Sequence, residues 1–106
     1  MTISERYRQV LEHIELEADR LYEVLPETTA NALRLVDRAA EELQDLIETV
    51  GEIPQYQLET KLAPVLLKSH SHLDRARVML ENDGHAKEGG SVWELEQLIY
   101  RLLNDL

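Results

Sequence analysis

The stretch Thr28–Glu52, TTANALRLVDRAAEELQDLIETVGE, decides the fold class. Leu33, Val36, Ala40, Leu43, Ile47 and Val50 alternate at spacings of three and four. That is one face of an α-helix, close to a coiled-coil seam. The opposite face carries Glu41, Asp45, Glu48 and Glu52, and no basic residue lies between Arg38 and Lys61. One face needs a core; the other concentrates negative charge.

The segments on either side repeat the pattern. Upstream, Tyr7, Leu11, Ile14, Ala18, Leu21 and Leu25 recur at four and three, widened by Ile3 and Val10, and Thr2 with Glu5 forms a capping box. Pro26-Glu27-Thr28-Thr29 leaves room only for a tight connection. The first two helices are therefore expected to form an antiparallel hairpin, each arm ~35 Å long at 1.5 Å per residue. Gly51 is the expected left-handed cap of the second helix, with Pro54 following.

Downstream, Leu58, Leu62, Leu66, Leu73, Ala76 and Leu80 mark a third helix. Pro64 lies inside it and should kink it or split it into two coaxial pieces, because proline removes a donor and its ring clashes with the preceding turn. Asn82-Asp83-Gly84 ends that helix, and His85–Gly90 reads as a loop. Ser91 with Glu94 is a second capping box, followed by Val92, Leu95, Ile99, Leu102 and Leu106. The expected architecture is all-α, an antiparallel four-helix bundle occupying residues 1–106 as a single helical domain. Its last helix, starting at Ser91, would span only ~22 Å. The seam that this leaves uncovered is the reason to expect a homodimer.

Composition narrows the chemistry. A formal charge of −10 disfavours direct binding to nucleic acid, and residues 27–52 alone carry −5. No cysteine is present, which removes disulfides, thiolate metal sites and cysteine nucleophiles. No uninterrupted apolar run exceeds three residues and the opening Met-Thr-Ile-Ser-Glu-Arg has no signal-like core, so no membrane association is expected and the expected location is cytoplasmic. There is no nucleophile elbow and no phosphate-cradling glycine loop.

Two sets of residues invite a functional reading. Glu41, Asp45, Glu48 and Glu52 repel one another at i,i+4, and the last two oppose the helix macrodipole. Helix stability alone would place bases there, so this face is the candidate surface for a basic partner protein. Lys61, Lys68 and Arg75 recur every seven residues with His72 on the same flank, a candidate site for an anionic ligand. His70 and His72 point about 200° apart on a helix and cannot share one metal. His13 with Glu17 has chelating spacing but no matching second half. Leu16, Leu67 and Val78 should face outward, and Trp93 is a candidate anchor.

Two partial resemblances bear on enzymatic alternatives. The expected bundle resembles phosphotransfer domains, but the Lys and Gly that usually follow their histidine are here Leu73 and Asp74 after His70, or Arg75 and Ala76 after His72. Glu41-Glu42-Leu43-Gln44-Asp45 resembles the acidic helix of the all-α nucleotide pyrophosphohydrolases. Their magnesium needs a second acidic helix, and Glu59, Asp74, Glu81 and Asp83 do not supply its Glu-x-x-Asp pair. The expectation is therefore a small acidic, non-enzymatic interaction or regulatory module, without cofactor, metal or catalytic residues. The alternative is a metal- or phosphate-ligand-dependent bundle enzyme of nucleotide hydrolase or phosphotransfer type, using Lys68, His72 and Arg75.

Overall fold

The computed structural model describes residues 1–106. Four α-helices follow one another as α1 (Ile3–Val24), α2 (Ala30–Gln44), α3 (Leu58–Asn82) and α4 (Ala86–Asn104), with no strand. Each helix packs on the next, and α4 returns to α1, closing a ring of neighbours 43 Å long and about 20 Å across. Contacts between helix ends show the antiparallel order. Tyr7 at the start of α1 meets Leu43 at the end of α2, and Arg6 meets Asp105 beyond the end of α4.

The apolar stripes converge as their periods require. Tyr7, Val10, Leu11, Ile14, Ala18 and Leu21 of α1 are buried, as are Leu62, Leu66, Leu73 and Leu80 of α3. They belong to one continuous cluster of 24 buried residues. Thr2 caps α1, its side chain accepting the Glu5 N–H at 3.1 Å. Buried hydroxyls find partners inside the bundle: the Tyr7 O–H donates to the Leu43 carbonyl at 2.7 Å, and Ser69 Oγ to the Ala39 carbonyl at 2.9 Å. No helix is long and apolar enough to cross a membrane.

Two expectations about helix ends are overturned. First, α2 stops at Gln44, seven residues before Gly51. From Leu46 the N–H groups of Leu46, Ile47 and Thr49 reach back only three residues, to Leu43, Gln44 and Leu46. The acids that repel at i,i+4, with β-branched Thr49 and Val50 beyond them, weaken the helix at this point. The apolar period survives because Val50 turns inward within a 3-10 turn (Val50–Glu52) that packs on α1. Gly51 lies in that turn and is not left-handed; the glycine with positive φ is Gly84, at +86°. Gly84 closes α3 in a Schellman arrangement: its N–H reaches the Glu81 carbonyl at 3.1 Å and the His85 N–H reaches that of Leu80 at 2.8 Å.

Helix α3 runs through Pro64 as a single helix, the first of the two expected forms, and is not split into coaxial pieces. Pro64 and Thr60, whose carbonyl loses its partner, are both exposed, so water can satisfy the freed group.

Second, α4 begins at Ala86, so Ser91 lies within the helix and its capping box is not used. Gly89 is buried against α3, where an added Cβ would stand 2.9 Å from Glu81 Cγ and 3.4 Å from the Arg77 carbonyl. Of the Gly89-Gly90 pair that reads as loop, Gly89 is thus the close point of a helix crossing, while Gly90 is exposed. With 19 residues in α4 against 22 in α1, the short-helix mismatch behind the expected second chain is gone.

Candidate functional site

Helix α1 meets its two neighbours, α2 and α4, less intimately than α3 meets either of its own. At the α1–α2 seam the smallest stripe residues, Ala18 and Ala40, face each other and leave a cleft of about 330 Å³. Its rim is Glu15 and Asp19 from α1 and Asp37 and Glu41 from α2, an i,i+4 pair on each helix. Gln44 completes the lining, and no basic side chain takes part. The Tyr22 O–H donates to Asp37 at 2.6 Å, and Gln44 donates to Glu15 at 3.3 Å. Burial, then the bond to Asp37 and its charge, push the Tyr22 phenol up to about 12. Asp19 and Glu41 have no hydrogen bond or ion pair, although both are exposed.

This arrangement redistributes the acidic stripe. Glu41 lies in the cleft, and Asp45 follows the end of α2. Asp45 is near enough to Tyr7 that its charge, after burial itself, raises the Tyr7 phenol. Glu48 falls in the turn and Glu52 in the 3-10 segment, so they leave the helical face although they stay exposed. In their place the fold brings up Glu15, Asp19 and Asp37. The signal was present in the sequence as two i,i+4 acid pairs, each flanking the alanine of an apolar stripe.

The basic flank of α3 does not close into a pocket. Lys61, Lys68 and Arg75 are exposed, and none of the larger surface clefts includes them or His72. His72 is packed against α2, its Nε2 3.3 Å from Glu42, while its Nδ1 is buried without a partner. His13 and Glu17 do not act together, since Glu17 accepts hydrogen bonds from Arg20. No group of three His, Cys, Asp or Glu side chains is placed to hold a metal ion.

The most perturbed carboxylate was not among the sequence candidates. Glu96 of α4 is 3% exposed. Its carboxylate accepts from Arg77 Nε at 3.2 Å and lies 3.7 Å from His70 Nε2. Arg77 also donates to Asp74 at 2.7 Å and to Glu81 at 2.9 Å, so three carboxylates surround one guanidinium. Burial, and then the neighbouring Asp74, push Glu96 up to about 7 against the opposing pull of Arg77. Asp74 moves the other way, held down chiefly by its hydrogen bond from Arg77. The cluster can therefore exchange a proton near neutral pH. It forms one wall of an open cleft bordered by Trp93 and Tyr100. Glu96 was legible in principle, as the one charged residue between Val92, Leu95 and Ile99 on the buried stripe of α4.

Compared with known protein families, characterised proteins and solved structures, the chain matches none.

Proposed function

We propose that this protein is a non-enzymatic cytoplasmic interaction module that presents the α1–α2 face to a basic partner protein. One observation carries the proposal: a cleft with four carboxylates on its rim, small side chains at its floor and no basic residue among its lining. Four like charges on two packed helices oppose folding, by ~0.2–0.5 kcal/mol for each i,i+4 pair. A surface selected only for stability would intersperse bases among them. A lysine or arginine side chain entering the cleft relieves that repulsion. Steering by the −10 net charge speeds its approach.

The test compares the wild-type protein with Asp19→Lys/Glu41→Lys, both at exposed positions. Circular dichroism is expected to show equal helix content for the two. Affinity capture from the native host is expected to retain a basic protein on the wild type, eluted by raising salt, and not on the variant. Equal retention by both would overturn the proposal.

Self-association is the second part of the reading. Leu67 and Val78 lie eleven residues apart on one outer face of α3, 57% and 40% exposed. Light scattering at micromolar concentration should give a dimer mass for the wild type and a monomer mass for Leu67→Ser/Val78→Ser. A wild-type monomer would remove this part and leave the acidic face untouched.

A further inference from the structure

The other seam of α1 has opposite chemistry. Two surface clefts of about 840 and 380 Å³ run along α1 and α4 and share His13, Leu98 and Arg101, so they form one groove. Between Lys87 and Arg101 the groove follows α4 for fourteen residues, ~21 Å of helix. Leu95 lies at its base, 5% exposed. Above it stand Leu16, 61% exposed, and Trp93, 50% exposed, large apolar side chains left open to water in the groove.

Its charges are placed differently from those of the rest of the surface. Lys87 and Arg101, near its two ends, are exposed, and neither forms an ion pair or hydrogen bond within the chain. Arg20 is engaged by Glu17 and donates to Ser91 Oγ at 3.1 Å. With Glu94 included, and His13 neutral, the lining of the larger cleft is net positive by one on a chain of net charge −10. An acidic ligand is repelled by most of this molecule and accepted here.

We infer that the α1–α4 groove docks an acidic amphipathic helix of a partner protein. The apolar edge of that helix covers Leu16 and Trp93, and carboxylates about fourteen residues apart meet Lys87 and Arg101, the helix-in-groove mode of recognition. A second copy of this chain is a poor occupant, because the apolar pair it exposes on α3, Leu67 and Val78, is flanked by the exposed bases Lys68 and Arg75, which Lys87 and Arg101 repel. The site is separate from the α1–α2 face and stands or falls independently of the basic-partner reading.

The chain has a single tryptophan, so Trp93 fluorescence reports on the groove and on the α3–α4 cleft that it also borders, and variants confined to the groove assign the shift. The probes are two synthetic helical peptides of about 18 residues with one leucine edge, flanked by glutamates in one and by lysines in the other. The glutamate peptide is expected to shift Trp93 emission to the blue with saturation. The lysine peptide, even if it binds the acidic face, is expected to leave that emission unchanged. Lys87→Glu/Arg101→Glu and Leu16→Ser, all at exposed positions, are each expected to weaken the glutamate peptide at least tenfold, with helix content unchanged by circular dichroism. The inference is overturned if the glutamate peptide causes no shift, or if its affinity survives both variants. It is also overturned if Leu16→Ser converts a wild-type dimer to a monomer in light scattering, since the groove would then belong to a second copy.

Discussion

Helix α1 has two seams, and they differ in how they are closed and in what they can accept. Towards α2, a buried hydrogen bond from Tyr7 to the Leu43 carbonyl fastens one end, and Ala18 opposite Ala40 opens a cleft rimmed by four carboxylates. Towards α4 the polar fastenings are exposed: Arg6 to Asp105 at 2.7 Å, and Arg20 to Ser91 at 3.1 Å. There the groove carries Leu16, Trp93 and two unpaired bases. The α3–α4 seam is the contrast: it is brought together at Gly89 and holds the buried Glu96, and it opens to the surface only in the cleft beside Trp93 and Tyr100. Short side chains or exposed large ones leave a seam open, while a glycine at the crossing lets two helices close.

The variant that should break both α1 seams together is Ile14→Ala, since Ile14 is fully buried on the inner face of this helix. A loss of ~2–5 kcal/mol is expected from the deleted methyl groups and the cavity, measured by urea denaturation. A loss under ~1 kcal/mol would show that α1 is held mainly at its ends.

The α3–α4 seam should carry a pH signature that the two seams of α1 lack. Glu96 has its carboxyl raised from 4.5 to about 7, so the folded chain keeps a proton that the unfolded chain releases. Stability from this group is therefore fully present below about 4.5, falls as pH rises to about 7, and is level above that. Asp74, held down, contributes the opposite sign, and only as pH falls below its ordinary 3.8. A tenfold difference in proton affinity between the folded and unfolded chain corresponds to ~1.4 kcal/mol. Denaturation of the wild type at pH ~5 and ~7 should show the loss, and Glu96→Gln should flatten it. An equal slope in Glu96→Gln would assign the pH dependence to surface charge.

Smaller effects separate the two seams of α1. Tyr7→Phe leaves the buried Leu43 carbonyl without its donor and should cost ~1–2 kcal/mol, independent of salt. Arg6→Ala removes a solvent-exposed ion pair and should cost at most ~1 kcal/mol, less at high salt. Thermal melts at low and high ionic strength distinguish the two. If Arg6→Ala proves the costlier, the seams have been ranked wrongly. Smallest of all, Asp19→Lys should raise stability by a few tenths of a kcal/mol by relieving the rim of the acidic cleft. A destabilisation would mean that the four carboxylates do not repel one another appreciably.

The apolar periods were legible because burial selects residues at helical spacing, whatever the partner. Leu33, Val36, Leu43, Leu62, Leu73, Val92 and Ile99 all enter the core as their spacing requires. The Thr2 cap and the Gly84 terminus were legible because both are set by a few neighbouring residues. The end of α2 was not, because an inward-facing period continues through Val50 whether the backbone coils as an α-helix or tightens into turns. The start of α4 was hidden for a related reason. Gly89-Gly90 looks like a loop until α3 is placed against it, and only then is the missing side chain a packing requirement. For the acidic site, Glu41 was visible on its own helix, whereas Glu15, Asp19 and Asp37 join it only through the pairing of α1 with α2.

The sequence by itself determined that the chain is helical, which faces are buried, and that the surface is acidic, because these depend on residue type and near-neighbour spacing. Only the tertiary structure decided where α2 stops, that α4 reaches back to Ala86, and that Glu96 lies buried among His70, Asp74 and Arg77. It also decided that α1 is acidic along one seam and basic and apolar along the other. Those outcomes rest on contacts between residues far apart in the chain. Helical spacing says which way a side chain points, but not which helix it meets.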